Sequence, residues 1–363
     1  MVEVQVQKRE LVTSLGNVVR IIPSRASNPG LGLLKTEITD KSIVLSGSNM
    51  EIDIEATVPA AVTGTGSFCL SGHVFSQVIG SLPGDMVTLK LGDKEVVVSS
   101  GNFDTTLRLE DSESAPVISF SEKLVGKVEA PELAKALSSV RYAAATADYQ
   151  AIFRGVKIEF KEQEMRTVST DGFRLAYYNS DYSTGLKGDV VAPARSIDEV
   201  VRLLAEGTVR FDLSDSRLSI QAKPYRINVN LMDGSFPDYE KVIPKSFPVS
   251  ISVDAGLLTE AVSRVALMAD KNANNRVDLF IKGGILQITA EGSYGRSQEA
   301  IDVLQTGNDQ EIALAYNAKY LTDALSPISG DLQISFSGTS TPSVMASSED
   351  PSYLAMVVPL RTG

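Results

Sequence analysis

The chain of 363 residues has one cysteine, one histidine and no tryptophan. The single Cys69 excludes an internal disulfide framework, and with it most reasons to expect an oxidising compartment. The single His73 leaves no material for a Ser-His-Asp relay elsewhere or for a metal site built on several histidines. No Cys pair, Gly-x-x-x-x-Gly-Lys phosphate loop, dinucleotide glycine fingerprint or Gly-x-Ser-x-Gly elbow occurs. Carboxylates are scattered without the spacing of a metal loop, so neither a metal nor a cofactor is expected, and an enzyme is not expected either. No apolar run reaches bilayer length and Met1-Val2-Glu3 does not open a secretion signal, which makes a cytoplasmic protein the default. Basic residues are outnumbered, 34 Lys and Arg against 45 Asp and Glu. The resulting net charge of −11 favours solubility and counts against a general nucleic-acid binder. Cys69 reads as a small core residue and His73 as an ordinary polar residue near a helix start.

What the sequence does have is a threefold repeat. Leu11-Val12-Thr13-Ser14-Leu15-Gly16-Asn17-Val18-Val19-Arg20 returns 122 residues later from Leu133 to Arg141, and 124 residues after that from Leu257 to Val265. Apolar residues at helical spacing (Leu133, Ala136, Leu137, Val140, Ala144) make each copy an amphipathic helix. A second helix repeats at the same offsets: Phe75–Ile79, Ile197–Val201, Leu321–Leu325. Each second helix ends in a short break and is followed by an alternating run, Val87–Leu91, Val209–Leu213 or Leu332–Phe336, the mark of a strand with one buried face. The period is far longer than the roughly 50 residues of a solenoid unit, so each copy is expected to be a domain of about 121 residues.

These patterns predict an α+β fold of three repeated domains, 1–123, 124–246 and 247–363, each with two helices backed by antiparallel sheet. In the first copy the expected strands are Leu33–Ile38, Ser42–Ser46, Glu51–Val58, Val87–Leu91, Glu95–Ser100 and Thr105–Leu109, with helices over 9–22 and 72–81.

Three segments break from the repeat. In Ser169-Thr170-Asp171-Gly172-Phe173-Arg174-Leu175-Ala176, the pair Asp171-Gly172 supplies a tight turn but leaves Arg174 and Leu175 unexplained. The stretch from Asp233 to Pro244 reads locally as a proline-stiffened linker, and Tyr353–Arg361 as a terminal apolar strand. Together, through Thr-Asp-Gly-x-Arg-Leu-Ala, Phe-Pro-Asp-Tyr-x-x-Val-x-Pro, Tyr-Asn-x-x-Tyr-Leu and the Pro-x-Arg ending, the chain resembles the bacterial sliding clamp family, the beta subunits of DNA polymerase III.

The resemblance implies a clamp-type fold in which two chains close head to tail around duplex DNA and tether a polymerase. Helix geometry agrees. Six helices packed at ~10 Å make an axis circle about 19 Å across and a hole of roughly 9 Å, less than the ~12 Å major groove. Twelve give about 38 Å and a hole of roughly 28 Å, enough for a hydrated duplex. A closed dimer also leaves no sheet edges open. An acidic protein can still hold DNA if its basic residues face the hole. Candidates are Arg20, Lys135, Arg141, Arg195, Arg202, Arg264 and Lys319 on the repeated helices, with Arg25 on the loop after the first. Phosphate contacts of this kind carry no sequence information and permit sliding.

The resemblance further implies a pocket that captures short peptides from the polymerase III catalytic subunit, the clamp loader, other polymerases, ligase and mismatch-repair proteins. Its wall would comprise Phe153, Thr170, Gly172, Arg174, Leu175, Pro237, Lys241 and Val242. Tyr320, Ser343, Val344, Met356, Val357, Val358, Pro359, Leu360 and Arg361 would complete it. Phe103 would meet Leu267 and Met268 of the other chain. The sequence departs from the family at Phe173, where many relatives carry histidine, and at Lys241, where they carry arginine. Tyr149-Gln150-Ala151-Ile152 lacks the paired aromatics some relatives place against DNA, and Thr362-Gly363 extend past the usual final arginine region. Two other classes stay open on the residues alone. One is a nucleotide-handling enzyme with Asp171 as acid and Arg174 as anion clamp; the other is a structural protein of tandem β-rich domains.

Overall fold

The computed structural model describes residues 2–25, 28–147, 150–307 and 311–361. It divides into two compact units, one of Met1–Pro131 with Glu199–Leu231 and one of Glu132–Asp198 with Met232–Gly363. Among the described residues there are six α-helices: α1 Lys8–Val19, α2 Gly72–Ser81, α3 Ala130–Arg141, α4 Ala194–Leu203, α5 Ala255–Val265 and α6 Ala318–Leu325. They follow the repeat seen in the sequence. The first helices follow the strands Val2–Gln7, Gly126–Glu129 and Val249–Asp254, and the second helices lead into Met86–Leu91, Thr208–Leu213 and Asp331–Phe336. Among the described residues, no helix is long and apolar enough to cross a membrane.

Each helix forms because its apolar positions fall on one face. Leu11, Leu15 and Val18 of α1 are fully enclosed, at the i, i+4, i+7 spacing that a packed helix requires. In α5 the same face is Leu258, Ala261, Val262 and Val265. Asp254 starts α5 by accepting from the Leu257 N–H at 2.8 Å, and Asn317 starts α6 by accepting from the N–H groups of Lys319 and Tyr320. Gly47 lies beneath α1, where a Cβ would come within 2.9 Å of Ile22 and 3.2 Å of Val18, so the helix can sit close on the sheet.

The first unit holds a five-stranded sheet and an eight-stranded one. In the larger sheet, Tyr225–Asn230 pairs with Ile52–Pro59, aligning Ile227 with Ile54 and joining strands from the middle and first thirds of the chain. Beside that seam the fully buried Asn228 donates to Asp53 at 3.1 Å and to the Ser119 carbonyl at 3.0 Å, while accepting from Ser219 at 2.8 Å. The second unit holds a nine-stranded and a four-stranded sheet. Here Arg174–Ser180 pairs with Tyr353–Val357, a seam of the same kind between the middle and last thirds. Every named strand pair is antiparallel, as the α+β reading expects.

Within the first third, Leu33–Ile38, Glu95–Ser100 and α2 match the expected spans. The strand from Ser42 runs on to Ser48, because Gly47 and Ser48 still pair with Ile54 and Asp53. The neighbouring strands are Ile52–Pro59, Met86–Leu91 and Phe103–Arg108 rather than 51–58, 87–91 and 105–109. Helix α1 spans 8–19 rather than 9–22, so Arg20 is its C-cap and not a helix residue. His73 lies 3.0 Å from the Ile22 carbonyl, and Cys69 is buried, its thiol pushed up by desolvation.

Candidate functional site

The segment that departs most from the repeat, 169–176, builds the centre of the site. Gly172 takes φ +89°, which closes a two-strand turn that an L side chain would strain. Asp171 Oδ1 accepts from the N–H groups of Phe173 and Arg174 at 2.9 and 3.0 Å, and Thr170 Oγ1 donates to the Arg174 carbonyl. The turn thereby fixes where Arg174 leaves the sheet. Its Nε donates to Asp171 Oδ2 at 3.0 Å and its Nη1 to Asp323 Oδ2 on α6 at 2.7 Å. The guanidinium carbon lies 4.3 Å from the Tyr320 ring centre and 5.5 Å from that of Tyr142. With its side chain 8 % exposed, Arg174 is a buried cation held by two carboxylates and flanked by two aromatic rings. Tyr142 in turn donates to Tyr353, whose hydroxyl donates to the Ala324 carbonyl; burial holds both phenols well above their usual range.

The chain terminus is laid against this turn by backbone bonds. Leu175 pairs with Met356, and Val357 lies between Arg174 and Ser343. Past the strand, the Val358 N–H donates to the Phe173 carbonyl at 2.8 Å and the Leu360 N–H to the Ala315 carbonyl at 2.7 Å. This leaves Val358 and Leu360 half-buried, Pro359 buried and Arg361 exposed. The 233–244 stretch is anchored rather than merely linking. Tyr239 is buried with Val168, Leu175 and Met356, and it donates to Glu159 at 3.0 Å, while Phe236 and Ile243 pack alongside. Pro237, Lys241 and Val242 face solvent on this anchor, Lys241 paired with Asp238 at 2.7 Å.

The expected wall therefore separates into layers. Thr170, Arg174, Leu175, Tyr320, Val344, Met356, Val358, Pro359 and Leu360 belong to one packed or hydrogen-bonded region. Ser343 and Val357 are fully enclosed, Ser343 bonded to the Tyr316 hydroxyl, so they stiffen the site from beneath and offer no surface. Gly172 and Phe173 form its exposed turn, with Phe173 at 58 %. Phe153 stands half-buried in the 3₁₀ turn Ala151–Arg154, its carbonyl accepting from the Ala145 N–H. Tyr149, Thr362 and Gly363 lie outside the described residues. The sequence reading missed Tyr142 and Asp323. The one available signal was that Asp323 falls three residues after Tyr320 on one helix face.

The family models for the DNA polymerase III beta subunit match the chain in order: the N-terminal domain over residues 2–119, the central domain over 127–238 and the C-terminal domain over 240–361. The chain belongs to the beta sliding clamps. It is 25% identical to the beta sliding clamp of Staphylococcus aureus over 380 residues and 27% identical to that of Streptococcus pneumoniae over 381, covering all of each chain. The crystal structure of the DNA polymerase III beta chain from Streptococcus pneumoniae superposes with a TM-score of 0.93 at 26% identity, covering 100% of both chains. The sliding clamp of Bacillus subtilis, at 24%, shares the fold with a TM-score of 0.94 over 100% of both. The family is a non-catalytic processivity factor. Asp171 and Arg174, the candidate acid and anion clamp of the enzyme alternative, are paired with each other.

The basic residues expected to face DNA in a clamp are mostly paired. Arg20 lies 3.1 Å from Glu199, which also lies 3.5 Å from Arg202, and Arg141 is paired with Asp198. Lys135 meets Asp350 at 2.8 Å, Lys319 meets Asp323 at 3.0 Å, and Arg264 meets Glu260 and Glu299 at 3.1 and 2.8 Å. Arg25 and Arg195 are exposed, with no carboxylate at ion-pair distance among the described residues. The Lys135 hydrogen bond holds the Asp350 carboxyl below its ordinary 3.8. Asp350→Asn is thus expected to lower stability by about 0.5 kcal/mol at pH 7, the small worth of a half-exposed pair. The difference should fade as pH drops below 3.8 and through the lower folded value, which urea midpoints at both pH values would read.

Each unit also presents one component of the expected clamp interface. Phe103, 42 % exposed, opens the edge strand of the five-stranded sheet. Leu267, 78 % exposed, stands beside half-buried Met268 in the 3₁₀ turn after α5.

Proposed function

We propose that this chain is a DNA sliding clamp: two copies close head to tail into a ring around duplex DNA, slide on phosphate contacts and tether the replicative polymerase. The observation that carries the proposal is the ordered match of all three beta-subunit domains to a chain that repeats its helix pair three times. The domains would be 1–123, 124–246 and 247–363, the protein cytoplasmic and without catalytic activity. Ring closure would use Phe103 of one copy against Leu267 and Met268 of the other, and the helix cations would face the hole. Topological enclosure then supplies the retention that weak, sequence-independent phosphate contacts lack.

The region around Arg174 is the peptide pocket. Half-buried Val358, Leu360 and Tyr320 give an apolar surface for Leu and Phe anchors, backed by the buried Leu175, Met356 and Val344. Thr170, Gly172, Arg174, Pro237, Lys241, Val242, Phe153 and Arg361 supply turn, rim and polar register. The polymerase III catalytic subunit, the clamp loader, other polymerases, ligase and mismatch-repair proteins are its proposed partners. Two pockets per ring would let them exchange without leaving the DNA.

The test is retention at moderate salt on nicked circular plasmid and on its linearised form, after loading by a clamp-loader complex. Co-elution with circles and loss from linear ends is the expected result. Equal behaviour on both, with loading activity verified, overturns the ring.

A further inference from the structure

We infer that Asp198 and Glu199, adjacent on α4, are built-in counterions for the DNA-facing arginines and set how weakly the clamp holds duplex DNA. The inference rests on the sliding-clamp reading and adds to it a pair of residues that act against binding. Helix α4 has one apolar face, with Ile197, Val200 and Leu203 buried, and Arg195, Asp198, Glu199 and Arg202 outside that core. The two acids are aimed at cations of other helices. Asp198 pairs with Arg141, the last residue of α3, and Glu199 lies between Arg20 at the end of α1 and Arg202 on its own helix. Glu199 is only 20 % exposed, so its carboxylate is confined between the two arginines.

The electrostatic consequence follows from what a phosphate meets on arrival. A solvated arginine neutralises the phosphate and releases a condensed counterion from the DNA. An arginine already paired with a carboxylate must leave it, or bring that negative charge up to the phosphate. Either way the net gain and the net ion release shrink, and the contact is short-lived. For a protein retained by enclosure this is an advantage, since every strong phosphate contact would slow sliding without adding retention. It also places two of the chain's 45 acidic residues beside the arginines expected to meet DNA.

The test uses the intact dimer with Asp198→Asn, Glu199→Gln and the double variant, bound to a short linear duplex across a salt series and followed by fluorescence anisotropy. Each freed arginine is expected to steepen the slope of log K against log salt by up to about 0.9, the value of a whole phosphate contact. Between 50 and 200 mM salt, that slope change widens the loss of affinity by up to about 3.5-fold per arginine. Glu162→Gln with Asp189→Asn removes the same charge from non-helical acids, paired with Lys187 and Lys157 and with none of the candidate DNA-facing arginines, and should leave the slope near wild type. Asp198→Glu with Glu199→Asp keeps the counterions and should restore wild-type behaviour. An unchanged slope in the double amide variant, or an equal change in the control, overturns the inference while the ring stands if the wild type is retained on circles. Wild-type protein lost equally from circles and linear DNA overturns both.

Discussion

Replacing Arg174 with alanine is expected to lower unfolding stability by about 3–5 kcal/mol and to abolish peptide binding, the stability loss being typical when one partner of a buried ion pair is removed. The guanidinium neutralises Asp171 and Asp323, whose side chains are 11 and 21 % exposed; its removal takes the cation from Asp171 and leaves Asp323 with the exposed Lys319 alone among the ion pairs described. It also fills the space between the rings of Tyr142 and Tyr320. Arg174→Lys keeps the charge but loses the planar fork that reaches both carboxylates and lies against both rings, so an intermediate loss is expected. Urea denaturation and anisotropy of a labelled peptide bearing the polymerase subunit's clamp-binding segment would separate the two effects. Wild-type peptide affinity in a folded Arg174→Ala protein would remove Arg174 from the site.

Val358→Ala combined with Leu360→Ala should leave the fold and the dimer intact and still defeat the peptide. The terminus is held by backbone bonds from Val358 to Phe173 and from Leu360 to Ala315, which do not depend on either side chain. What truncation removes is half-buried apolar surface that a Leu or Phe anchor would cover. Losing both contacts is worth about 2–4 kcal/mol, an affinity loss of roughly thirtyfold or more. Titration of the labelled peptide, with light scattering for the dimer, gives the answer. Binding that survives in an intact dimer would refute the pocket assignment.

How much of this was legible in the sequence depends on distance along the chain. Helix α2 was read at its observed bounds because its pattern lies within ten residues. Val2–Gln7 went unread although Val2, Val4 and Val6 alternate, since a strand at the chain start has no preceding turn to mark it. Ala61–Thr63 is three residues long, too short for any period to register. At the site, the turn at Asp171-Gly172 was legible because one residue demands it, but the reason for Arg174 was not. Its second carboxylate, Asp323, lies 149 residues away and meets it only after α6 packs. Ser343 and Val357 are placed in the wall by the resemblance alone, which carries positions but not burial; in the fold both are fully enclosed. The pairing of Arg20, Lys135 and Arg141 with carboxylates far along the chain was equally hidden, whereas Arg202, Arg264 and Lys319 each have one three or four residues away on the same helix.

The seams between the thirds of the chain bear on its history. Tyr225–Asn230 against Ile52–Pro59, and Arg174–Ser180 against Tyr353–Val357, are joined by peptide groups that every residue except proline carries in full. Mutation can replace each side chain along such a ladder and leave the ladder itself standing. A joint cut from side-chain complementarity alone would need paired substitutions to survive drift; here that need is confined to buried contacts such as Asn228 with Asp53. Relatives that keep only 24 or 26% of the residues and still superpose with TM-scores of 0.94 and 0.93 are what joints of that kind allow.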